Sequence, residues 1–240
     1  MSEFNITVEG GTSVRLPTAG KYCDRDIVIT AEGGAVEPDS REQYQRVEYI
    51  ESDGSAYIVT DFVADENSCG IEAIIDVGNY SSVATMGSRQ DSGNTRFYLP
   101  YPLGSTSVYY GFNSAPKVTA TVSQTAPFRW QTNFLNSRLA GVYTSDGASV
   151  GSSAITETLI PHTVPIAIFG LYSGVDGGVS SAKNMKLYSA RCSKGYEIAR
   201  EYIPCYRKSD GVIGLYEKYT DTFLTNLGTG TFTKGADVDW

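Results

Sequence analysis

Two acidic side chains, Glu72 and Asp76, have a spacing that could support cleavage of a glycosidic bond. Most glycoside hydrolases hold two carboxyl groups on either side of that bond, one acting as acid and the other as base or nucleophile. Residues four apart in an extended strand share a face, so both carboxylates would point the same way. The three residues between them are apolar, and no third acid accompanies them. We therefore predict two charges on the solvated face of a core strand, without catalysis.

His162 is the single histidine of the chain, so a serine nucleophile would have to use its imidazole as base. No G-x-S-x-G motif precedes it, and Leu159-Ile160-Pro161 places it in a loop before a strand. We predict a solvated loop histidine with no catalytic role.

Sulfur and histidine ligands for a metal are also missing from the sequence. The four cysteines lie far apart with no C-x-x-C pair: Cys23, Cys69, Cys192 and Cys205. This pattern excludes a zinc site. Two disulfides stay open as an alternative, but we predict reduced thiols that act as small buried apolar side chains.

Glycine-rich and acidic loops give no clear cofactor site. No phosphate-binding G-x-x-x-x-G-K-[ST] motif is present, and residues 174–178, Gly-Val-Asp-Gly-Gly, are predicted to form a turn between strands. Asp146-Gly147 and residues 91–94 carry oxygen ligands for calcium, but neither repeats the acid spacing of a calcium loop. We predict no cofactor, with calcium left open.

An aromatic cluster is the strongest candidate for ligand binding. Residues 96–102 and 109–112 are rich in rings, which stack on sugars or anchor protein interfaces when they lie on a sheet surface. The predicted ligand-binding residues are Arg96, Tyr98, Tyr101, Tyr109 and Tyr110. Strand alternation should turn half of these side chains inward, so ordinary core packing remains the alternative.

The segments that carry these residues are predicted to be β-strands. The 240 residues include 25 glycines and 17 tyrosines, and short runs with period-two alternation are separated by Gly, Asn, Asp, Ser or Pro. No stretch sustains helical spacing for three turns. The pattern predicts an all-β protein, an antiparallel β-sandwich.

Charge and hydropathy exclude two classes of partner. The net charge of −8 would repel nucleic-acid phosphates, so we expect no nucleic-acid partner. No apolar run approaches the roughly 20 residues that span a bilayer, and the first residues do not resemble a signal peptide. We therefore expect no membrane insertion and synthesis in the cytoplasm.

The first 36 residues are predicted to be a separate segment. Residues 4–31 contain three short extended stretches, too few to hold a core alone, so we predict that residues 1–31 dock onto another surface. Residues 32–39 are rich in Gly, Pro and acids, as in a flexible connector. We predict a docking segment with linker at 1–36 and a sandwich domain at 37–240. A surface loop within one domain is the alternative for residues 32–39.

Three segments resemble virion proteins of tailed phages and related prophages. They are ITVEGG with LPTAGKYCDRDIV at residues 6–28, YQRVEYIESDGSAYI at 44–58, and IPCYRKSDGVIGLY with FLTN at 203–226. The first is similar to a recurrent virion module, and the others resemble the opening and closing of a concanavalin A-like, laminin-G-like domain. The resemblance implies a jelly-roll sandwich whose first and last strands pair, and a place on a virion.

These observations together predict a non-enzymatic phage structural protein. It would be a capsid decoration or a tail or baseplate appendage that presents a lectin-like sandwich and contacts other virion proteins through residues 1–31. Repeated copies on a particle imply a homo-oligomer. The first alternative is a carbohydrate-binding adhesin for glycans of the bacterial surface, and the second is a polysaccharide-cleaving enzyme.

Overall fold

The structure is a computed structural model that describes residues 40–77, 84–91, 95–103, 107–113, 117–120, 127–180 and 184–240. For residues 100–103, 107 and 117–120 it describes the backbone alone. The described residues from Gln43 to Trp240 form one compact unit. The predicted docking segment lies outside the described residues, and its role stays a prediction.

The described residues form nineteen strands and two short 3₁₀ turns, at Ser40–Gln43 and Phe134–Asn136. The strands are β1 (Tyr44–Arg46), β2 (Ile50–Asp53), β3 (Ile58–Val63), β4 (Cys69–Asp76), β5 (Met86–Arg89), β6 (Arg96–Leu103), β7 (Ser107–Phe112), β8 (Lys117–Ala120), β9 (Phe128–Thr132), β10 (Leu139–Thr144), β11 (Ser149–Ala154), β12 (Pro165–Ile168), β13 (Gly170–Ser173), β14 (Gly178–Ser180), β15 (Asn184–Lys194), β16 (Glu197–Arg207), β17 (Ile213–Glu217), β18 (Thr222–Thr225) and β19 (Phe232–Lys234). Neither 3₁₀ turn is long enough to cross a bilayer.

The strands form two sheets. Within the described residues, the large sheet has eleven strands in the order β11-β10-β9-β4-β15-β16-β17-β18, with β1 paired to β16, and β2 paired to β15 and β19. The small sheet has eight, in the order β14-β13-β5-β6-β7-β8, with β12 paired to β3 and β5. Among the strands that the structure describes, all pairs are antiparallel except β5 with β13. The predicted antiparallel β-sandwich is confirmed.

The first and last parts of the sandwich pair as the resemblance implies. Tyr44 of β1 lies opposite Arg207 of β16, and Val47 forms a bridge with Asp237. These pairings join residues near the start of the domain to residues near its end.

The core lies between the sheets, and core side chains alternate with outward ones along the strands, except where the register of β15 shifts between Leu187 and Ser189. In β4, Ile71, Ala73 and Ile75 belong to the core, so the residues between them face the other way. Opposite Ala73 in β9 lies Trp130, which has no exposed surface. Burial of such a side chain contributes about 2–3 kcal/mol or more to folding, before the entropy cost of ordering it.

The prediction that the cysteines are reduced and buried is confirmed for the three that the structure describes. Cys69, Cys192 and Cys205 are free thiols without exposed surface. Burial raises the pKa of Cys69 to about 11 and of Cys205 to about 12. Both thiols are therefore protonated and unreactive near neutral pH.

The prediction of a solvated loop histidine is wrong, because His162 is 1% exposed. Its Nδ1 lies 2.7 Å from the hydroxyl oxygen of Ser88, and its ring packs edge-on against Phe97. Nε2 has no hydrogen-bond partner among the described residues. The loop therefore folds inward at this residue and places the imidazole in the core.

His162 is buried because amide side chains hold the segment that carries it against the sandwich. We call this segment, residues 155–163, the strap. Asn67 accepts a hydrogen bond from the Leu159 amide at 2.7 Å, and Asn113 accepts one from the Ile160 amide at 2.7 Å. The His162 amide donates to the carbonyl oxygen of Ala64 at 2.8 Å. With its backbone satisfied in this way, the strap can lie against the sandwich and bury His162.

Acid should destabilise the fold through His162. Burial lowers the pKa of His162 from 6.5 to about 4, so the unfolded chain takes up the proton first as the pH falls. The stabilisation is complete above pH 6.5 and is lost as the pH falls towards 4, at about 1.4 kcal/mol per pH unit. Between pH 7 and pH 5, we expect wild type to lose about 2 kcal/mol more than His162→Gln in urea unfolding. Parallel pH profiles for the two proteins would show that His162 does not carry this effect.

Candidate functional site

The outer face of the large sheet carries a continuous row of polar side chains. Since Ile71, Ala73 and Ile75 face the core, Glu72 faces outward. Gln131 of β9 lies directly opposite Glu72 on one side, and Arg191 of β15 lies opposite it on the other. Alternation in β9 and β15 likewise puts these two side chains outward, because Trp130 and Cys192 are core residues.

The row continues across further strands in both directions. On one side Gly141 of β10 lies opposite Gln131, and Ser152 of β11 lies opposite Gly141. On the other side Glu201 of β16 lies opposite Arg191, and Lys218 follows β17 beside Glu201. We call Gln131, Glu72, Arg191, Glu201 and Lys218 the polar row.

Glu72 is the most buried charged group of the row. The prediction that it is solvated is wrong, because it is 7% exposed. Burial raises its pKa, and the positive charges of Arg129 and Arg191 oppose that shift. Arg129 Nε lies 3.8 Å from its Oε2. Asp76, its predicted companion, is half-buried at the end of β4 and outside the row.

Glu201 is held by two cations. Arg191 donates from Nε at 3.1 Å and from Nη2 at 2.9 Å to Oε1, and Lys218 Nζ lies 2.9 Å from Oε2. Burial alone would raise the pKa of Glu201, but Lys218 and Arg191 bring it below its usual range. This carboxylate is therefore ionised and fixed in position.

An aromatic ring lies beside one end of the row. Tyr143 of β10 sits over Gly141, since a Cβ at that glycine would approach the ring to 2.8 Å. The guanidinium of Arg129 stacks on the same ring, with its Cζ 4.8 Å from the ring centroid. A side chain larger than hydrogen at Gly141 would displace this ring.

Four rings lie beside the other end. Tyr44 is 4.9 Å from Phe223 and 5.5 Å from Tyr216, measured between centroids, and Trp240 meets Tyr216 edge-on at 5.5 Å. Alternation in β17 places Tyr216 on the outer face, because Leu215 faces the core. Trp240 is 42% exposed. We call Tyr44, Tyr216, Phe223 and Trp240 the four-ring cluster.

The outer face thus combines planar hydrogen-bonding groups with aromatic rings. An amide, two carboxylates and a guanidinium offer fixed donors and acceptors along the row. The half-buried ring of Tyr143 at one end and the exposed ring of Trp240 at the other offer apolar surface. Such a surface suits a ligand that has many hydroxyl groups and also apolar C–H faces.

The structure separates the aromatic residues singled out from sequence. Tyr110 faces the core and is 1% exposed. Tyr98 lies opposite Gly87 and Gly111, on the outer face of the small sheet, and is also 1% exposed. Arg96 and Tyr109 are half-buried on that same face. Tyr101 lies opposite Tyr109 in the register of β6 with β7, and its side chain is outside the described part.

Ligand binding at that small-sheet face stays a prediction, and it now rests mainly on Arg96 and Tyr109. A ring at 1% exposure can contact a ligand only if the surface around it rearranges. Tyr98 and Tyr110 therefore act first as packing residues in this conformation.

The other sequence candidates have structural roles. Ser88 and His162 do form a hydrogen-bonded pair, but both are buried, so no substrate can reach the hydroxyl. Asp146 accepts a hydrogen bond from the hydroxyl of Thr144 in the turn between β10 and β11. Within the described ranges, no group of three or more His, Cys, Asp or Glu side chains is placed to hold a metal. Calcium stays an open prediction.

Of the polar row, Glu72 alone carries a functional prediction from sequence. Gln131 and Arg129 have a visible signal, since they alternate with the apolar residues Phe128 and Trp130. That alternation shows an outward polar face. It does not show that Arg191 and Glu201, from a distant hairpin, complete the row.

Comparison with known proteins supports the fold. No protein-family model matches the sequence, and no curated protein matches it. The structure is similar to a crystal structure described as that of "a putative carbohydrate binding protein from Bacteroides ovatus", with a TM-score of 0.53 and 15% sequence identity. The match covers 81% of this chain and 62% of that protein. This chain therefore shares the β-sandwich fold of that protein and spans less than two thirds of its length.

The packing of Tyr98 can be tested at Gly111. A Cβ at this position would overlap the Tyr98 ring, which has almost no exposed surface and little room to move. We expect Gly111→Ala to lower the free energy of unfolding by about 2 kcal/mol in urea titrations. Gly178→Ala in β14 is the matched control, because nothing lies within 4 Å of its new Cβ. Equal stability of both variants would contradict this placement of Tyr98.

Proposed function

We propose that the sandwich is a non-catalytic carbohydrate-binding domain that holds its ligand on the outer face of the large sheet. The observation that carries this proposal is the polar row, with aromatic rings beside both of its ends. Carbohydrate rings present vicinal hydroxyls along their edges and C–H groups on their faces. The polar row matches the hydroxyls, and the rings match the C–H faces.

The row is preorganised for binding. Glu201 is fixed by Arg191 and Lys218, and Glu72 lies between Arg129 and Arg191. Each side chain has lost much of its rotamer freedom before a ligand arrives, so binding costs less ordering entropy. Arg191 uses Nε and Nη2 for Glu201, and its remaining guanidinium N–H groups can serve a ligand hydroxyl.

The same contacts argue against cleavage of the bound sugar. A glycosidase needs a second carboxylate that is free to act as base or nucleophile beside its acid. The pKa of Glu72 is raised, as a general acid requires. Glu201, however, has both carboxylate oxygens bound to cations, and its pKa is lowered. A carboxylate neutralised in this way is a weak base and a weak nucleophile. Binding without turnover is therefore the chemistry that this face supports best.

The similar crystal structure supports the proposal at the level of fold. That protein is described as carbohydrate binding, and the resemblance of residues 44–58 and 203–226 to laminin-G-like domains points to the same class of sandwich. A shared fold does not fix a ligand, so the argument rests on the residues of the face.

A screen against bacterial cell-wall and capsular polysaccharides tests the proposal. We expect wild type to be retained by at least one polysaccharide and to release no reducing ends from it. Gln131→Ala and Tyr143→Ala should each weaken binding about tenfold in isothermal titration, the equivalent of about 1.4 kcal/mol. Tyr196→Ala is the matched control, because this ring is 79% exposed at the tip of the β15–β16 hairpin, away from the row.

The small sheet provides the alternative location in the same experiment. If Tyr109→Ala and Arg96→Ala weaken binding while Gln131→Ala does not, the ligand lies on the face singled out from sequence. Thermal unfolding of each variant shows whether a loss of binding reflects a loss of fold. Release of reducing ends by wild type, abolished by Glu72→Gln, would overturn the non-catalytic assignment.

We propose further that a phage particle displays this domain. The support is the resemblance of residues 6–28 to a virion module and of the two later segments to domains of phage proteins. In this view residues 1–31 bind other virion proteins, and the repeated sites on a particle make the protein a homo-oligomer.

Removal of the N-terminal segment tests virion assembly. Without residues 1–36, the sandwich should keep its thermal unfolding transition, because the compact unit begins at Gln43. It should no longer co-sediment with particles assembled in the same cells, whereas the full chain should. Equal incorporation of the truncated and full-length proteins would contradict the docking role.

A further inference from the structure

The two groups of rings beside the polar row are widely separated. Tyr143 lies on β10 and Tyr216 on β17, and the strands between them are β9, β4, β15 and β16. Five strand intervals separate the rings, or about 24 Å at the usual spacing of about 4.8 Å. No monosaccharide or disaccharide reaches from one group to the other.

Both groups belong to the same cross-strand line. Tyr143 lies opposite Arg129, Arg129 opposite Ile74, and Ile74 opposite Ser189. On the far side Ile203 lies opposite Tyr216, which in turn lies opposite Phe223. Ser189 and Ile203 flank the opposed pair Ala190 and Tyr202, so the two halves join. The line runs parallel to the polar row and lies two residues from it along each strand.

The polar row is open at both of its described ends. Beyond Gln131 the cross-strand line of the polar row passes Gly141, against which the Tyr143 ring lies, and reaches Ser152, which is exposed; at the other end Lys218 is exposed, and Tyr219 beyond it is 43% exposed. Recognition of a terminal sugar calls for a closed pocket around one ring. A row with exposed ends instead allows a chain to enter on one side and leave on the other.

From this geometry we propose that the face takes an internal stretch of a linear polysaccharide, about five sugar units long, lying across the strands. The inference rests on the proposed function and names its ligand class. In an extended chain, one sugar unit advances about as far as one strand interval. A stretch of about five units therefore contacts the polar row throughout and reaches Tyr143 and the four-ring cluster together.

Chain-length dependence tests this inference. The probe is a set of oligosaccharides of one to eight units, prepared by partial hydrolysis of the polysaccharide that wild type retains. We expect affinity in isothermal titration to rise at least a hundredfold between two and five units, and then to level off. Linking two contact sites in one ligand accounts for such a rise without new contacts.

Two variants test the contribution of each group of rings separately. Tyr143→Ala and Trp240→Ala should each weaken binding of the five-unit chain about tenfold, whereas at most one of them should weaken binding of the disaccharide. Trp240→Phe retains a ring and should restore most of the affinity, which distinguishes a stacking role from a fold defect. Thermal unfolding should stay within a few degrees of wild type for all three variants.

Failure of the inference can be told apart from failure of the proposed function. Equal affinity for one unit and for five units would show recognition of a terminal sugar, which overturns the inference and leaves carbohydrate binding intact. Absence of binding to every polysaccharide and oligosaccharide would overturn both.

Discussion

The register of the central strands of the large sheet is the constraint on which the outer face depends. On the inner side Trp130, Ala73, Ala190 and Tyr202 lie in one row across β9, β4, β15 and β16, and all four are buried. The large rings stand at the two ends of this row and the alanines in its middle. A slip of one residue in any strand would turn its core side chains to solvent, so burial strongly favours this register. The outer residues Gln131, Glu72, Arg191 and Glu201 are thereby aligned without any need to attract one another.

Ion pairs then hold in place the outer side chains that the strand register aligns. The ion pairs of Glu201 with Arg191 and of Glu72 with Arg129 are partly buried, so solvent and salt screen them less than they screen fully exposed pairs. Arg191 separates the two carboxylates and offsets the repulsion between them. The result is a row whose charges are largely balanced within a protein of net charge −8. Such balance suits an uncharged hydroxylated ligand better than a strongly acidic or basic one.

Sequence alternation predicted the β-sandwich, because it follows from which residues are apolar, and the resemblance to laminin-G-like domains implied the pairing of the first and last strands. Burial of Cys69, Cys192 and Cys205 followed from the expectation that thiols made in the cytoplasm stay reduced and pack as small apolar side chains. Exposure was harder to predict. Glu72 looked solvated because its strand position is outward, but it is 7% exposed and Arg129 Nε lies 3.8 Å from its carboxylate. His162 looked solvated because it lies in a loop, but the hydrogen bonds of Asn67 and Asn113 to the strap turn it inward. Both outcomes depend on residues far away in the chain, which a single sequence does not pair.

The central claim is that carbohydrate binds on the outer face of the large sheet, and mapping the contact by NMR tests it most directly. Backbone amide resonances of the wild-type protein would be followed during titration with a five-unit oligosaccharide from the retained polysaccharide. The account predicts that the largest shifts fall in β10, β9, β4, β15, β16 and β17, at residues such as Gln131 and Arg191. Shifts confined to β5, β6 and β7 of the small sheet would contradict it.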